Sequence, residues 1–216
     1  DKAPSANLMA KQSVSFTSIK PVAAITMKDG ALAANGIEGI RFGKSSELGF
    51  ADVDGKPSLV FNGVNDFVTI EDSEKIAPRT GFVCVAWIRA DSWDRDRRIF
   101  QKGAGDDGFR LNAHRGRLVL DIASVGTLQV APPKTNQWVH VVAAFDGQSM
   151  WILYDGVLKG RALARGKASS TNSPLTIGQK HPEAPSTDAF KGAIHSFEYY
   201  NRPIYYELLV TLDPDR

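Results

Sequence analysis

The chain has 216 residues, of which 43% are hydrophobic, and it carries a single cysteine. That length and composition suit one large β-sandwich domain, and a single cysteine excludes an intrachain disulfide. The formal net charge of only +2 gives no basis for a nucleic-acid partner. No apolar run approaches the roughly 18 residues of a transmembrane helix, so no membrane span is predicted.

The N-terminal part carries the weakest structural signal. The first residues are small and polar, which predicts a flexible segment over 1–12 ahead of a single domain over 13–216. Alternating and apolar residues over 13–19 and 22–27 indicate two short strands. The chain starts with Asp1 rather than Met, so we expect a secreted, periplasmic or cell-surface protein whose leader has been removed.

From residue 58 onward, short apolar segments separated by Gly, Asp and Pro predict closely spaced strands. The predicted strands are 59–61, 67–70, 81–90, 98–102, 109–113, 117–122, 138–145, 150–154, 175–177 and 192–200. Such spacing is typical of an antiparallel jelly-roll sandwich of two sheets. Pro203 and the apolar residues after it predict a short C-terminal helix over 203–212.

The segment 138–156 gives the clearest local prediction. Asp146-Gly147 separates two strand-like runs, and Asp155-Gly156 closes the unit. Asp-Gly supplies the positive φ angles of tight hairpin turns, so two antiparallel strands with two turns are predicted. Both faces of 139–145 are largely apolar, which indicates that both faces of this strand are covered. Cys84 lies within another apolar strand, where a buried and unreactive thiol is expected.

An ordered set of motifs resembles laminin G-like jelly rolls of the concanavalin A-like lectin/glucanase superfamily. The motifs are LVFNGVNDFVTI (59–70), FVCVAWI (82–88), IFQKG (99–103) followed by GFRL (108–111), WVHVVAAFDGQSMWILYDG (138–156), PLTIG (174–178) and FKGAIHSFEYYNR (190–202). Their order and spacing agree with the family from about residue 58 to 212, whereas residues 1–57 resemble it only loosely. The resemblance implies the same sandwich fold and a function in carbohydrate binding.

The chain departs from the family where some members hold structural calcium. Asn62, Asn65 and His195 stand where the family often has Asp, and loss of negative ligands weakens a site for a hard cation. The glycine-rich turn 103–108 offers Asp106 and Asp107 as weak candidate ligands. Calcium therefore remains open, and no other cofactor is expected.

Motifs for catalysis are weak in this sequence. Related glucanases carry two carboxylates on one strand in an E-x-D-x-x-E spacing, which aims both side chains into one cleft. The nearest match, 71–74 (EDSE), has the wrong spacing and falls in a predicted loop, and Glu198 has no partner nearby in sequence. We therefore expect no catalytic residues, although a glycoside hydrolase or polysaccharide lyase with an unfamiliar site stays open.

Aromatic rings stack on sugars, so exposed tryptophans are candidate ligand platforms. Trp93 lies in a polar loop, and Trp151 occupies a position where the family usually has a polar, outward residue. Arg95 and Arg97 in the same loop as Trp93 are candidates to bind sugar hydroxyls or a uronic acid carboxylate. Packing of either ring against a neighbouring loop is the alternative.

These observations favour a non-catalytic carbohydrate-binding module of an exported protein, linked to polysaccharide utilisation and with a glycan or polysaccharide as its partner. The assignment rests on the family resemblance, because a fold alone does not define a function. Two alternatives remain: the enzyme described above, and a structural or protein-interaction module.

Overall fold

A computed structural model describes residues 19–28, 31–103, 107–183, 188–204 and 206–209. In chain order the strands are β1 (Ala23–Lys28), β2 (Ala31–Gly36), β3 (Phe42–Lys44), β4 (Gly49–Val53), β5 (Lys56–Asn62), β6 (Val68–Ile70), β7 (Phe82–Ala90), β8 (Arg97–Lys102), β9 (Phe109–His114), β10 (Arg117–Ile122), β11 (Gly126–Val130), β12 (Val139–Phe145), β13 (Ser149–Tyr154), β14 (Val157–Leu163), β15 (Leu175–Ile177) and β16 (Lys191–Tyr200). They form two antiparallel sheets, as the sequence predicted.

The two sheets differ in size and in the order of their strands. The nine-stranded sheet runs β14-β13-β12-β7-β16-β1-β2, with β5 also pairing with β16 and β4 pairing with β5. The seven-stranded sheet runs β11-β10-β9-β8-β15-β6-β3. Non-consecutive strands are neighbours in both sheets, so the chain crosses repeatedly between them. This two-sheet antiparallel sandwich is consistent with a jelly roll.

The two antiparallel strands and the two turns predicted for segment 138–156 are confirmed. Strands β12 and β13 pair from Val141–Tyr154 to Phe145–Met150, and Asp146 Oδ1 accepts backbone N–H bonds from Gln148 and Ser149. At the second turn Asp155 has a φ of 48° and Gly156 a φ of 72°. Two consecutive positive φ angles are the geometry for which Asp-Gly is suited, and they connect β13 directly to β14.

The main core lies between the sheets and is built by alternation along the strands. On β7, Phe82, Cys84, Ala86 and Ile88 face this core. Aromatic rings join the two layers: Phe82 stacks on Phe109 of the opposite sheet with ring centroids 3.8 Å apart. Ring pairs of this kind stabilise a core beyond the area that they bury.

A second apolar cluster covers the outer face of the nine-stranded sheet. Its members come from β7, β12, β13 and the C-terminal region, and they are Val83, Val85, Val142, Ala144, Trp151, Leu153, Tyr200, Ile204 and Leu209. Every residue of β12 is therefore buried, which confirms the prediction that both faces of this strand are covered. The apolar residues on the outer face of this sheet are buried because other parts of the chain pack on them.

Several sequence predictions need correction or lie beyond the described residues. The helix predicted over 203–212 is not supported, because 203–204 are not helical, helical geometry spans a single turn, α1 (Tyr206–Leu209), and 210–212 lie outside the described part. The flexible segment 1–12 and most of the predicted strand 13–19 also lie outside it. Five strands were missed, namely β2, β3, β4, β11 and β14.

One lysine is completely buried at the end of β8. Lys102 has no exposed surface, and its ammonium donates to Asp72 Oδ1 at 2.6 Å and to the Thr171 carbonyl at 3.0 Å. The Ser173 carbonyl accepts a further bond. A buried ammonium requires such partners, because removing it from water is costly. The pair therefore ties the β6–β7 connection to the segment that precedes β15.

We expect Asp72→Asn to lower the free energy of unfolding by about 3 kcal/mol, because the buried charge of Lys102 would lose its counter-charge. Glu47→Gln removes a carboxylate from the surface and serves as the control, with an expected change within about 0.5 kcal/mol. Chemical denaturation of both variants measures the difference. Equal stability of the two variants would contradict the structural role of the ion pair.

We also expect Cys84 to resist thiol reagents in the native protein. The side chain is 1% exposed, which confirms its predicted burial, and burial raises the pKa of its thiol well above the usual value. A chromogenic disulfide reagent should react slowly with native protein and rapidly after denaturation. Comparable rates in the two states would show that this strand opens readily.

Candidate functional site

The outer face of the seven-stranded sheet is polar, whereas the outer face of the nine-stranded sheet is apolar. Inward residues of β9 and β10, such as Leu111 and Leu120, pack in the main core. The alternate residues therefore point outward. Strand pairing aligns the outward residues in two rows across the sheet: Gln101, Arg110, Asp121 and Thr127 in one, and Arg98, Asn112, Val119 and Gln129 in the other.

Hydrogen bonds connect the polar residues of neighbouring strands. Asp121 bridges two of them, because its Oδ2 lies 2.7 Å from Arg110 Nη2 and its Oδ1 accepts the Thr127 hydroxyl at 2.6 Å. In the adjacent row, Arg98 Nη1 donates to Asn112 Oδ1 at 3.1 Å. These bonds hold planar polar groups in fixed orientations on a rigid sheet.

These residues line an open cleft of about 320 Å³, which we call the polar cleft. Its lining residues are Asp96, Arg98, Arg110, Asn112, His114, Val119, Asp121, Thr127, Gln129 and Lys180. Strands β8 to β11 supply most of them, and Lys180 comes from the segment after β15. The lining offers guanidinium, carboxamide, carboxylate and hydroxyl groups, which can donate and accept hydrogen bonds side by side.

Positive and negative groups lie side by side in the polar cleft. His114 Nδ1 lies 2.7 Å from Asp96 Oδ2, and Arg98 Nη2 lies 3.7 Å from Asp188 Oδ2. Burial lowers the pKa of Arg98 to about 10, and repulsion from Arg110 acts in the same direction. Arg98 therefore remains charged at neutral pH. A cleft with paired charges of both signs suits an uncharged, hydroxyl-rich ligand better than a strongly charged one.

The loop that the sequence singled out reaches this cleft through its last residues. Of the predicted loop 91–98, Asp96 and Arg98 line the polar cleft, whereas Trp93, Arg95 and Arg97 are absent from its described lining. The ring of Trp93 is half-buried against Phe190, at 6.2 Å between ring centroids. Its indole N–H donates to the Pro133 carbonyl at 2.8 Å. Trp93 thus supports the segment before β12.

The two candidate arginines of this loop have different surroundings. Arg97 is 4% exposed and donates through Nη1 to the Ala189 carbonyl at 3.0 Å and through Nη2 to Asp94 at 2.9 Å. Hydrogen bonds from Ser92 and Arg97 lower the pKa of Asp94 to about 2. Arg97 therefore organises the loop. Arg95 is 58% exposed and remains accessible to a ligand.

None of the four tryptophans is fully exposed. Trp151 is 7% exposed within the apolar cluster on the nine-stranded sheet, and the Arg161 guanidinium lies 5.7 Å from its ring centroid. Trp87 and Trp138 are half-buried; Trp87 lies on the outer face, beneath Lys56. In the structure, Trp93 and Trp151 both pack against neighbouring elements, which was the alternative to a role as ligand platforms. Sugar stacking on either ring stays a prediction.

The residues related to a family calcium site do not form a cation-binding cluster. Asn62 Oδ1 accepts the backbone N–H groups of Val64 and Asn65, and its amide donates to Asn65 Oδ1. His195 sits in a bulge of β16 with Nδ1 2.7 Å from the Pro57 carbonyl oxygen. The described residues contain no group of three His, Cys, Asp or Glu side chains placed to hold a metal ion. Asp106 lies outside the described residues, and Asp107 as a ligand stays untested.

Most residues of the polar cleft were missed by sequence reasoning. Alternation was visible in β9, where Arg110, Asn112 and His114 are separated by apolar residues. That alternation gave their outward direction. It did not give the pairing of β9 with β8 and β10, which brings Arg98 and Asp121 beside them.

Comparison with solved structures finds the same sandwich in larger toxin domains. The binding domain of Paraclostridial Mosquitocidal Protein 1 matches with a TM-score of 0.72 and 13% identity, over 89% of this chain and 51% of that one. The Botulinum Neurotoxin Type G receptor binding domain matches with a TM-score of 0.69 and 14% identity, over 89% and 50%. The botulinum neurotoxin serotype D ligand binding domain, solved in complex with N-acetylneuraminic acid, matches with 0.70 and 13%, over 91% and 52%.

The chain therefore spans about half the length of these domains, and the likeness concerns the fold. No curated protein sequence matches the chain significantly. The described residues include no helix that is long and apolar enough to cross a membrane. A family model described as concanavalin A-like lectin/glucanases superfamily matches residues 62–205, more than half of the chain. The chain thus belongs to this laminin G-like family (Laminin_G_3) of the concanavalin A-like lectin/glucanase superfamily.

Proposed function

We propose that the protein is a non-catalytic glycan-binding module and that the polar cleft is its ligand site. One observation carries this proposal: four adjacent strands project planar, mutually hydrogen-bonded polar groups into one cleft. Neighbouring hydroxyls of a sugar each donate and accept, so they match guanidinium and carboxylate groups placed side by side. Groups held on strands lose little freedom on binding.

The size and charge of the polar cleft narrow the ligand class. Its volume of about 320 Å³ lies at the small end of the range of ligand sites, which is about 300–1,000 Å³. The cleft is open, so a short stretch of a longer glycan fits this description. Paired charges of both signs favour a neutral or weakly charged sugar. The neurotoxin domain solved with N-acetylneuraminic acid supports glycan binding within this fold, as a property of that protein.

The positions of the carboxylates weigh against the enzyme alternative. Glu198 accepts the Tyr200 hydroxyl at 2.6 Å on the nine-stranded sheet, and Glu74 lies in the β6–β7 connection. Of the two carboxylates that do line the polar cleft, Asp121 lies beside the Arg110 guanidinium and Asp96 lies beside the His114 ring. A general acid needs a carboxyl group kept protonated by apolar surroundings, and neither Asp has such surroundings. Export and a link to polysaccharide utilisation complete the proposal, because a free glycan-binding module meets polysaccharides mainly outside the cell.

The test begins with a glycan array, run with and without calcium, followed by calorimetry on the best ligand. We expect Arg110→Ala to weaken binding about tenfold, or ~1.4 kcal/mol. The substitution removes a charged donor and leaves the Asp121 carboxylate without the guanidinium that holds it. Arg165→Ala removes an exposed arginine outside the polar cleft and should bind like the wild type. Equal affinity of the wild type and both variants would refute the site.

Two further variants separate this site from the one built on aromatic rings. Trp93→Ala and Trp151→Ala, each verified as folded, should retain most of the affinity if the polar cleft binds the sugar. A loss of about tenfold or more in either variant, with Arg110→Ala unaffected, would move the site to that ring. We expect no cleavage of the bound glycan. Product formation that disappears in Asp96→Asn or Asp121→Asn would establish the enzyme alternative.

A further inference from the structure

A second, larger cleft shares no lining residue with the polar cleft and has a different charge. It has a volume of about 540 Å³ and lies among the approach to β1, the turn after β2, the β6–β7 connection and the end of β16. Its lining residues are Lys20, Pro21, Val22, Ile37, Glu74, Lys75, Arg79, Tyr200, Asn201 and Arg202. We call it the basic cleft.

Positive charge dominates the lining of the basic cleft. Four cations face one carboxylate, that of Glu74, whereas the polar cleft has charges of both signs in pairs. Within the described part of the chain, no carboxylate forms an ion pair with Lys20, Arg79 or Arg202. All three side chains are exposed. Unpaired cations gathered around a concave surface raise the local concentration of anions.

Two further carboxylates, those of Glu38 and Glu198, lie near the basic cleft. Glu38 lies in the turn beside the cleft, and its backbone carbonyl accepts a bond from the Lys75 ammonium. Glu198 accepts a hydrogen bond from the Tyr200 hydroxyl. Burial is the main cause that raises the pKa of Tyr200, and the Glu198 carboxylate is the second. Neither carboxylate is part of the lining. The phenol stays protonated at neutral pH and adds no negative charge.

Hydrogen bonds between chain segments fix the walls of the basic cleft. The Asn201 side chain donates to the Lys75 carbonyl at 2.9 Å, and Arg79 N donates to the Asn201 carbonyl at 3.0 Å. On the other wall, Ile37 N donates to the Val22 carbonyl at 3.0 Å. The backbone positions of the cations are therefore set by the fold. The exposed side chains of Lys20, Arg79 and Arg202 can adjust to a ligand.

The basic cleft also has an apolar part. Pro21 and Val22 contribute apolar surface, and Ile37 is 45% exposed, one of the few large hydrophobic side chains on the surface. A free inorganic anion would leave this surface unused. A carbon framework that carries anionic groups would contact the apolar part and the cations together.

From these observations we propose that the basic cleft binds a small ligand carrying several sulfate or phosphate ester groups. Such groups are tetrahedral and present three acceptor oxygens, which suit lysine ammonium groups and arginine forks approaching from several sides. Sulfate and phosphate esters share this chemistry, and two probes separate them. This site is separate from the polar cleft and does not depend on the glycan proposal.

Calorimetry of the full chain with two probes tests the proposal: sucrose octasulfate for sulfate esters and inositol hexakisphosphate for phosphate esters. We expect at least one of them to bind, with affinity that falls as ionic strength rises. Sucrose and myo-inositol are the uncharged controls and should not bind here. Absence of binding by both charged probes at low ionic strength would overturn the proposal, and the stronger probe identifies the ester class.

The triple substitution Lys20→Gln, Arg79→Gln and Arg202→Gln should weaken binding of the charged probe about tenfold or more. The matched control, Lys134→Gln, Arg165→Gln and Lys167→Gln, removes the same charge from exposed positions elsewhere and should change affinity less than about twofold. Equal losses in both triple variants would overturn a specific site. Arg110→Ala should leave probe binding unchanged, and a loss there would place the probe in the polar cleft.

Discussion

The face-to-face packing of the two sheets is the constraint on which the rest of this structure depends. In a strand, alternate residues point to opposite sides, so burying one face of each sheet leaves one outer face to be accounted for. On the nine-stranded sheet the outer face carries Val85, Val142 and Leu153, and parts of the chain near both ends cover it. On the seven-stranded sheet it carries Arg110, Asn112 and Asp121, which face a cleft. The difference in composition decides which face is available to a ligand.

Local signals in the sequence predicted the parts of the fold that local chemistry determines. The two Asp-Gly motifs predicted the turns after β12 and after β13, since each turn needs only a few residues with positive φ. Strand β14 itself was missed because it lies at a sheet edge and most of its residues are exposed, so it has no run of buried apolar residues. Strand β11 was missed for a related reason, since Leu128 and Val130 are its only buried residues.

The functional residues were harder to predict because their neighbours are distant in sequence. Trp151 was predicted to be outward, which was right for its sheet face, but it lies in an apolar cluster that includes Tyr200, Ile204 and Leu209 from the far end of the chain. Arg97 was selected as a ligand contact, although bonds to Ala189 and Asp94 occupy its guanidinium. In both cases the residue type indicated a side chain able to bind a ligand. The sequence did not indicate which distant residues contact that side chain in the fold. Pairing between distant strands is a property of the whole fold that one segment does not encode.

The two clefts illustrate how charge pairing separates binding classes on one scaffold. In the polar cleft, Asp121 holds Arg110 in place, so the guanidinium retains a counter-charge and offers its remaining donors. In the basic cleft, Arg79 and Arg202 have no such partner among the described residues, so a ligand would have to supply the counter-charge. Binding in the first case depends on hydrogen-bond geometry, and binding in the second depends on net charge. Ionic strength therefore distinguishes the two sites: added salt screens the second strongly and the first only weakly.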